Sequence, residues 1–252
     1  MRFRPCIDLH EGRVKQIVGG SLRDGAAPQT NFESALSPAY YAGLYQRDGF
    51  DGGHVIMLGP GNETAAAEAL TAFPRGLHVG GGITDSNAGM WLDRGAGSVI
   101  ATSFVFRGGH LQQDNLELLA QATGPDRLVL DLSCAPDDRG GYVVATDRWQ
   151  HLTDFEISAA NLERLAGFCA EFLVHATQVE GRQQGIDERL VTLLGDIVPL
   201  PTTYAGGVRS MADVDLIEQA GGGRLDYTVG SALDLFGGTG VRYEDLVERH
   251  RT

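Results

Sequence analysis

Long hydrophobic runs are the first thing this sequence lacks. No stretch approaches the roughly 18 apolar residues of a membrane-spanning helix, which excludes a helical membrane protein. The opening residues, MRFRPCIDLH, carry no apolar segment of signal-peptide length, and a cytoplasmic protein is expected. Cysteine is scarce: Cys6, Cys134 and Cys169 are an odd number without ligand-like spacing, which argues against a disulfide framework and fits reduced thiols. Positive charge is in deficit. Twenty Lys and Arg face 33 Asp and Glu, and the net charge of −13 argues against nonspecific binding to DNA, RNA or an anionic membrane. A small phosphorylated ligand stays open, because backbone amides hold phosphate without net positive charge. Pro/Ser-rich and strongly charged linkers are also missing, so one domain over residues 1–252 is expected.

What the chain has in abundance is glycine, and its 35 glycines sit just after apolar runs: LHVGGGIT (77–84), TTYAGGVRS (202–210) and LDYTVGSAL (225–233). Glycine at a strand end lets backbone approach a ligand closely. The apolar runs at 3–9, 53–58, 76–80, 97–101, 127–132, 171–176, 201–205 and 225–229 read as strands. They alternate with amphipathic stretches at 37–48, 63–73, 85–94, 112–122, 156–168, 187–195, 210–220 and 243–250, which read as helices. Eight strands, each followed by a helix, predict a (β/α)8 barrel; a doubly wound open sheet is the alternative and rarely alternates so evenly to its end.

Three features recur at nearly one spacing. Asp8 ends the first strand and Asp131 the fifth, 123 positions on; Gly81-Gly82 recurs as Gly206-Gly207, 125 on; and SVIATS, ending at Ser103, recurs as DYTVGS, ending at Ser231, 128 on. The set suggests two related half-barrels. In a barrel the C-terminal strand ends share one mouth, so Asp8 and Asp131 are expected to face each other across a ligand, one as proton donor and one as acceptor. The plainer alternative is a pair of carboxylates capping turns or pairing with arginine. The glycine pairs read either as tight turns or, since each precedes a helix start, as two anion sites suited to a ligand with two phosphates.

Trp149 lies in a long excursion (133–155) after the fifth strand. It is either local packing or a surface that stacks on a flat ring, and Gly140-Gly141 offers a flexing point for closure. His10, His54, His78 and His175 fall at or within strands one, two, three and six. No HxH or HExxH spacing occurs, so packing and hydrogen bonding are expected of them, and no metal.

CIDLHEGRVKQIVGG, HVIMLGPGN, VGGGIT, FLVHATQVEGRQQGIDE, TYAGGV and DYTVGSALDLFGG together resemble the histidine-biosynthesis isomerase family HisA, in its branch best known from eukaryotes. The resemblance runs to the last predicted helix. It implies a half-barrel-repeat enzyme that performs an Amadori rearrangement, converting a phosphoribosylformimino aminoimidazole carboxamide ribotide, phosphorylated at each end, to its phosphoribulosyl isomer. It further implies Asp8 as general base and Asp131 as general acid. Phosphate would be held by Gly81, Gly82, Thr102 and Ser103 on one side and by Gly206, Gly207, Gly230 and Ser231 on the other. Trp149 would stack on the aminoimidazole, with no cofactor or metal and a monomer as the working unit. Departures from the family pattern are Thr84 in place of an arginine that the second half keeps as Arg209, Gln178 in place of an acidic residue, and MLGPGN for the usual second-strand end. The glutaminase-coupled cyclase of the same pathway and a non-catalytic phosphometabolite-binding barrel are the competing readings.

Overall fold

A computed structural model describes residues 1–18, 21, 29–146 and 149–251. Gly19-Gly20 of the first quoted motif and Asp147-Arg148 of the excursion lie outside the described residues. The first half contains β1 (Cys6–His10), β2 (Arg13–Ile17), β3 (Thr30–Glu33), α1 (Pro38–Asp48), β4 (Gly53–Met57), α2 (Glu63–Ala72), β5 (Leu77–Gly80), α3 (Asp85–Asp93) and β6 (Val99–Ala101). A small hairpin, β7 (Phe106–Arg107) and β8 (His110–Leu111), leads into α4 (Gln113–Thr123). The second half contains β9 (Leu128–Asp131), β10 (Cys134–Pro136), β11 (Tyr142–Thr146), β12 (His151–Glu156), α5 (Ala159–Ala166) and β13 (Glu171–His175). It ends with α6 (Glu188–Ile197), β14 (Thr202–Ala205), α7 (Met211–Ala220), β15 (Leu225–Tyr227) and α8 (Tyr243–Arg251).

Strands β1, β4, β5, β6, β9, β13, β14 and β15 are parallel neighbours in that order. A parallel bridge between Phe3 and Tyr227 joins the first to the last: the Arg4 amide donates to the Tyr227 carbonyl at 2.8 Å, and the Tyr227 amide to the Arg2 carbonyl at 3.0 Å. The ring is therefore the predicted (β/α)8 barrel. Local chemistry supports the alternation. Ser37 caps α1 by accepting from the Tyr40 amide, Pro38 fills its first turn, and Gly49 at φ 80° ends it in a conformation that favours glycine.

Strand alternation divides the core in two. Ile7, Leu9, Val55, Val79, Leu130 and Val174 point outward into the large apolar layer beneath the helices. Inside the ring, Ile100, Val129, Leu173 and Ala205, with Ile56 against them, form a separate apolar plug. Below the plug, at the strand starts, lies a charged floor. The Arg4 Nε donates to Asp226 at 2.8 Å, its Nη2 lies 3.5 Å from Glu171, and Glu171 also accepts from the Thr203 hydroxyl at 3.1 Å. The ring's inward positions above the plug carry the site.

Two segments differ from the sequence expectation. The polar loop after the first strand is a β2–β3 ribbon. Its buried Lys15 concealed the strand pattern, and that charge is satisfied by Glu11 at 2.8 Å and Glu33 at 3.3 Å. The excursion at 133–155 is a three-stranded antiparallel sheet, β10–β11–β12. Because Glu156 still pairs with Val143, the helix expected from 156 begins at Ala159. Gly140-Gly141 lies in a tight β10–β11 turn bound by Asp137, which accepts from the Arg139 and Gly141 amides. Trp149 sits at the other turn, between β11 and β12. The sheet is moored to strand six: Cys134 bridges to Ala176, and the Tyr142 hydroxyl reaches both Asp187 oxygens, at 2.8 and 2.9 Å.

The floor generates a stability prediction. Arg4 is 6% exposed, and its removal leaves Glu171 buried without its cation and Asp226 with Arg2 alone, 3.4 Å away. Arg4→Met should cost about 3–5 kcal/mol in urea unfolding, while activity at permissive temperature survives because the change lies at the far end of the barrel. A loss below about 1 kcal/mol would show that the floor does not hold the seam.

Candidate active site

The mouth cavity is lined by inward or terminal residues of five barrel strands: Cys6 and Asp8 of β1, His54 of β4, His175 and Glu180 on and after β13, Ala205, Gly206 and Gly207 on and after β14, and Thr228, Gly230 and Ser231 after β15, with Gln16 of β2 closing one side. Asp8 is inward because its neighbours Ile7 and Leu9 are the outward, helix-facing residues of the same strand. Its Oδ2 accepts from the Gln16 Nε2 at 2.9 Å. Burial, followed by the nearby Glu180 carboxylate, raises its pKa to about 7, against the pull of His175 and the Gln16 donor.

Asp131 occupies the matching end of β9. Its Oδ1 accepts from the Ser133 hydroxyl at 3.0 Å and lies 3.2 Å from the His175 Nδ1. Burial of the His175 ring works against its positive charge. The Asp131 carboxylate and its hydrogen bond, with Glu180 and Asp8 further off, more than offset that and raise the imidazole to about 9. His54, whose ring centroid is 6.4 Å from that of His175, is driven down to about 3 by burial and by the neighbouring histidines. Glu180 is pushed upward by burial, with His175 opposing. The site therefore places one imidazolium among three carboxylates.

The glycine pairs are positioned alike. Gly81 (φ 97°) and Gly206 (φ 124°) lie against a carbonyl of the preceding barrel strand: an added Cβ would meet the Met57 oxygen at 2.2 Å and the Ala176 oxygen at 3.1 Å. The turn alone therefore requires glycine at both places. Just before each helix start, the Thr84 amide donates to Asn87 and the Arg209 amide to Asp213, each at 2.9 Å. Further unbonded donors lie earlier. The amides of Gly206, Gly207, Gly230 and Ser231, and in the other half those of Gly81, Gly82 and Ser103, donate to no protein acceptor among the described residues. Only the second-half set lines the cavity; Gly81, Gly82, Thr102 and Ser103 follow the adjacent strands β5 and β6 outside it.

Trp149 has φ 66°, and its ring lies 6.2 Å from that of His175 at a 38° tilt. The structure thus brings Asp8, the second glycine set and, through His175, both Asp131 and Trp149 to one place. Sequence reasoning missed Glu180 and Gln16; of His175 it expected packing and hydrogen bonding, and the ring does meet Asp131. For Glu180 a signal existed: Gln178, where an acid was looked for, is exposed, and the carboxylate two residues on reaches the cavity. Arg209 turns away, to Asp213 and the Gln184 carbonyl.

A family profile described as "Histidine biosynthesis protein" matches residues 2–239. An imidazole-4-carboxamide isomerase of Neurospora crassa, whose full name carries the 5-phosphoribosyl group twice, is 49% identical over 99% of this chain and 98% of its own length. A chloroplastic protein of the same name from Medicago truncatula is 51% identical over 99% of this chain and 82% of its own. The Saccharomyces cerevisiae enzyme of that name is 47% identical over 97% and 96%. The chain belongs to the histidine-biosynthesis proteins and, within them, to the HisA isomerase family.

Proposed function

We propose that the protein isomerises a bis-phosphorylated aminoimidazole carboxamide ribotide from the aminoaldose to the aminoketose by general acid–base catalysis. The observation that carries this reading is Asp8. It is a carboxylate poised near neutrality, in the same cavity as the unbonded amides of Gly206, Gly207, Gly230 and Ser231. A group tuned in this way suits proton abstraction from carbon and has no purpose in a merely phosphate-binding barrel.

Ring opening of the furanose needs an acid on the Asp131 side and yields a Schiff base. Asp8 then takes the C2 proton, and the enolamine tautomerises to the ketose. No hydride moves and no cofactor takes part. One phosphate rests on the amides after β14 and β15, the other on Gly81, Gly82, Thr102 and Ser103. Trp149 meets the aminoimidazole, and the turn that carries it is set beside His175 by the moored β10–β12 sheet. Anchoring both ends supplies orientation that the two carboxyl groups alone would lack. Action as a cytoplasmic monomer completes the proposal: every group invoked comes from one chain, and no helix among the described residues is long and apolar enough to cross a membrane.

Turnover of the ribotide, with and without ammonia, separates isomerase from cyclase. As a base, Asp8 must be ionised, so kcat/KM should rise with pH through about 7. Asp8→Asn should lower kcat by about 10²–10⁴-fold. The same change should stabilise the fold. A carboxylate whose pKa is higher folded than unfolded favours folding at low pH and opposes it once the pH exceeds both values. Asp8→Asn should therefore raise Tm by about a few degrees at pH 8, with the difference fading toward pH 4. An active variant, or one without any gain in Tm, would dismiss Asp8 as a buried, strained base.

Ser231 tests the phosphate assignment without the backbone strain that a glycine substitution would bring. Ser231→Ala should raise KM roughly tenfold and leave kcat nearly intact, the signature of binding shared by ground and transition states. An unchanged KM would remove the Ser231 hydroxyl from the phosphate contacts.

A further inference from the structure

The Asp8 carboxylate is held by a side chain from outside the barrel ring. We propose that Gln16 is the positioning residue of the base: its side-chain amide pins one Asp8 oxygen and leaves the other to the substrate, an assignment that rests on the isomerase reading above. The Gln16 Nε2 donates to Asp8 Oδ2 at 2.9 Å, and Oδ1 has no hydrogen bond among the described residues. Asp8 lines the mouth cavity, so Oδ1 is the oxygen free to take a proton from carbon.

The amide is fixed at both poles. Gln16 is 3% exposed, and its Oε1 fills the space over Gly230, where an added Cβ would stand 2.6 Å from it. Gly230 has no positive φ, so its backbone does not ask for glycine; the room taken by Oε1 does. Reversing the amide would set Oε1 against the Asp8 carboxylate and lose the bond, so the two ends have one arrangement. One side chain therefore reaches from the base to the turn after β15, whose amides are assigned to phosphate.

The β2–β3 ribbon keeps Gln16 in place. β2 folds back antiparallel on β1, with Leu9 opposite Val14 and His10 opposite Arg13. Alternation then sends Lys15 and Gln16 to opposite faces, Lys15 to Glu11 and Glu33 and Gln16 to Asp8. From β3, the Asn31 Nδ2 donates to the Gly181 carbonyl and the Ser231 hydroxyl, each at 3.2 Å, tying the ribbon to the loops after β13 and β15. The cation of β2 is thus kept on the far face, and a neutral donor meets the base.

The titratable groups that face Asp8 are Cys6 on its own strand, Glu180 and His175 from β13 and the loop beyond it, and Tyr45 from α1. Burial and then Glu180 raise the carboxyl to about 7, while His175 and, last, Gln16 oppose them. Gln16 therefore contributes aim more than charge. A cation in its place would pull the carboxyl down and weaken it as a base.

Two variants and a direct titration test the assignment. Gln16→Met keeps the bulk and removes the donor. Its kcat should fall about 10–10²-fold with KM within about twofold of wild type, because a misaimed base slows proton transfer and spares ground-state binding. Gln16→Lys keeps a donor and adds a charge. The acid limb of kcat/KM and the 13C NMR midpoint of the Asp8 carboxyl should both move down from about 7, by about one unit or more. A side chain that only fills the mouth would lower Tm in both variants and move neither midpoint. Where Gln16→Met fails to fold, Gln16→Asn, one methylene shorter and out of reach of Oδ2, should show the same loss of kcat. Turnover within about twofold of wild type in the variant without the donor overturns the proposal, and so does an Asp8 midpoint unmoved in Gln16→Lys. The 13C arm needs no turnover and so separates the two readings. A wild type that never isomerises the ribotide, with the Asp8 midpoint still lowered in Gln16→Lys, would sink the isomerase reading and leave Gln16 as the group that holds a buried carboxylate.

Discussion

Closing eight parallel strands into a ring is the constraint on which the other features depend. Closure gives every strand an inside, and alternation sends each second residue into it. On β1 that rule buries Ile7 and Leu9 under the helices and leaves Cys6 and Asp8 inside. The space is small, and its middle is filled by Ile100, Val129, Leu173 and Ala205. Charged inward residues are thereby sorted to the two ends. Those at the strand starts, Glu171 and Asp226, are neutralised by Arg4 and the neighbouring Arg2 across the seam where the ring closes. Those at the strand ends, Asp8, Asp131 and His175, are not neutralised in pairs. They share charge in a cluster that is one cation short, and a burial that would be a defect in the floor becomes a proton inventory at the mouth.

That contrast gives the barrel a stable end and a working end. In the floor one guanidinium touches two carboxylates and a threonine supplies a further donor, so each charge has a partner of fixed geometry. At the mouth, Asp8 has a neutral partner, Gln16, where a cation would have held its pKa low. An amide donor orients the carboxylate without erasing its basicity. The cost in folding free energy is localised there, and the helix-covered outer core and the floor offset it.

Most of the fold was legible because periodicity and punctuation agreed along the chain. Apolar runs of strand length, helix-spaced stretches and glycines after the runs all indicated one register, and the barrel strands and helices fall within a few residues of their expected bounds. The ribbon β2–β3 was not legible, since Lys15 looks like a loop residue until Glu11 and Glu33 are seen beside it. The β10–β12 sheet was hidden for a related reason: its partner is the continuation of strand six, a pairing distant in sequence. In the site, Asp8 and Asp131 stood out as charges interrupting apolar strands. His175 did not, because a histidine at a strand end reads as packing or hydrogen bonding, and its partner Asp131 lies 44 positions away. Pairings across the ring, unlike positions along a strand, leave no local mark.

The internal repeat explains what is shared between the halves and what is not. Gly81 and Gly206 meet the same obstacle, a carbonyl of the strand before, and the amides of Thr84 and Arg209 are capped three or four residues on by Asn87 and Asp213. The turns are therefore copies, down to the way each helix start is satisfied. The carboxylates are not. Asp8 meets an amide and a second carboxylate, whereas Asp131 meets a hydroxyl and an imidazole. A symmetric ring would give two equivalent acids, and two equivalent acids cannot divide the roles of donor and acceptor. The few residues that break the duplication, Gln16, His175 and Glu180, are what give the two carboxylates different surroundings.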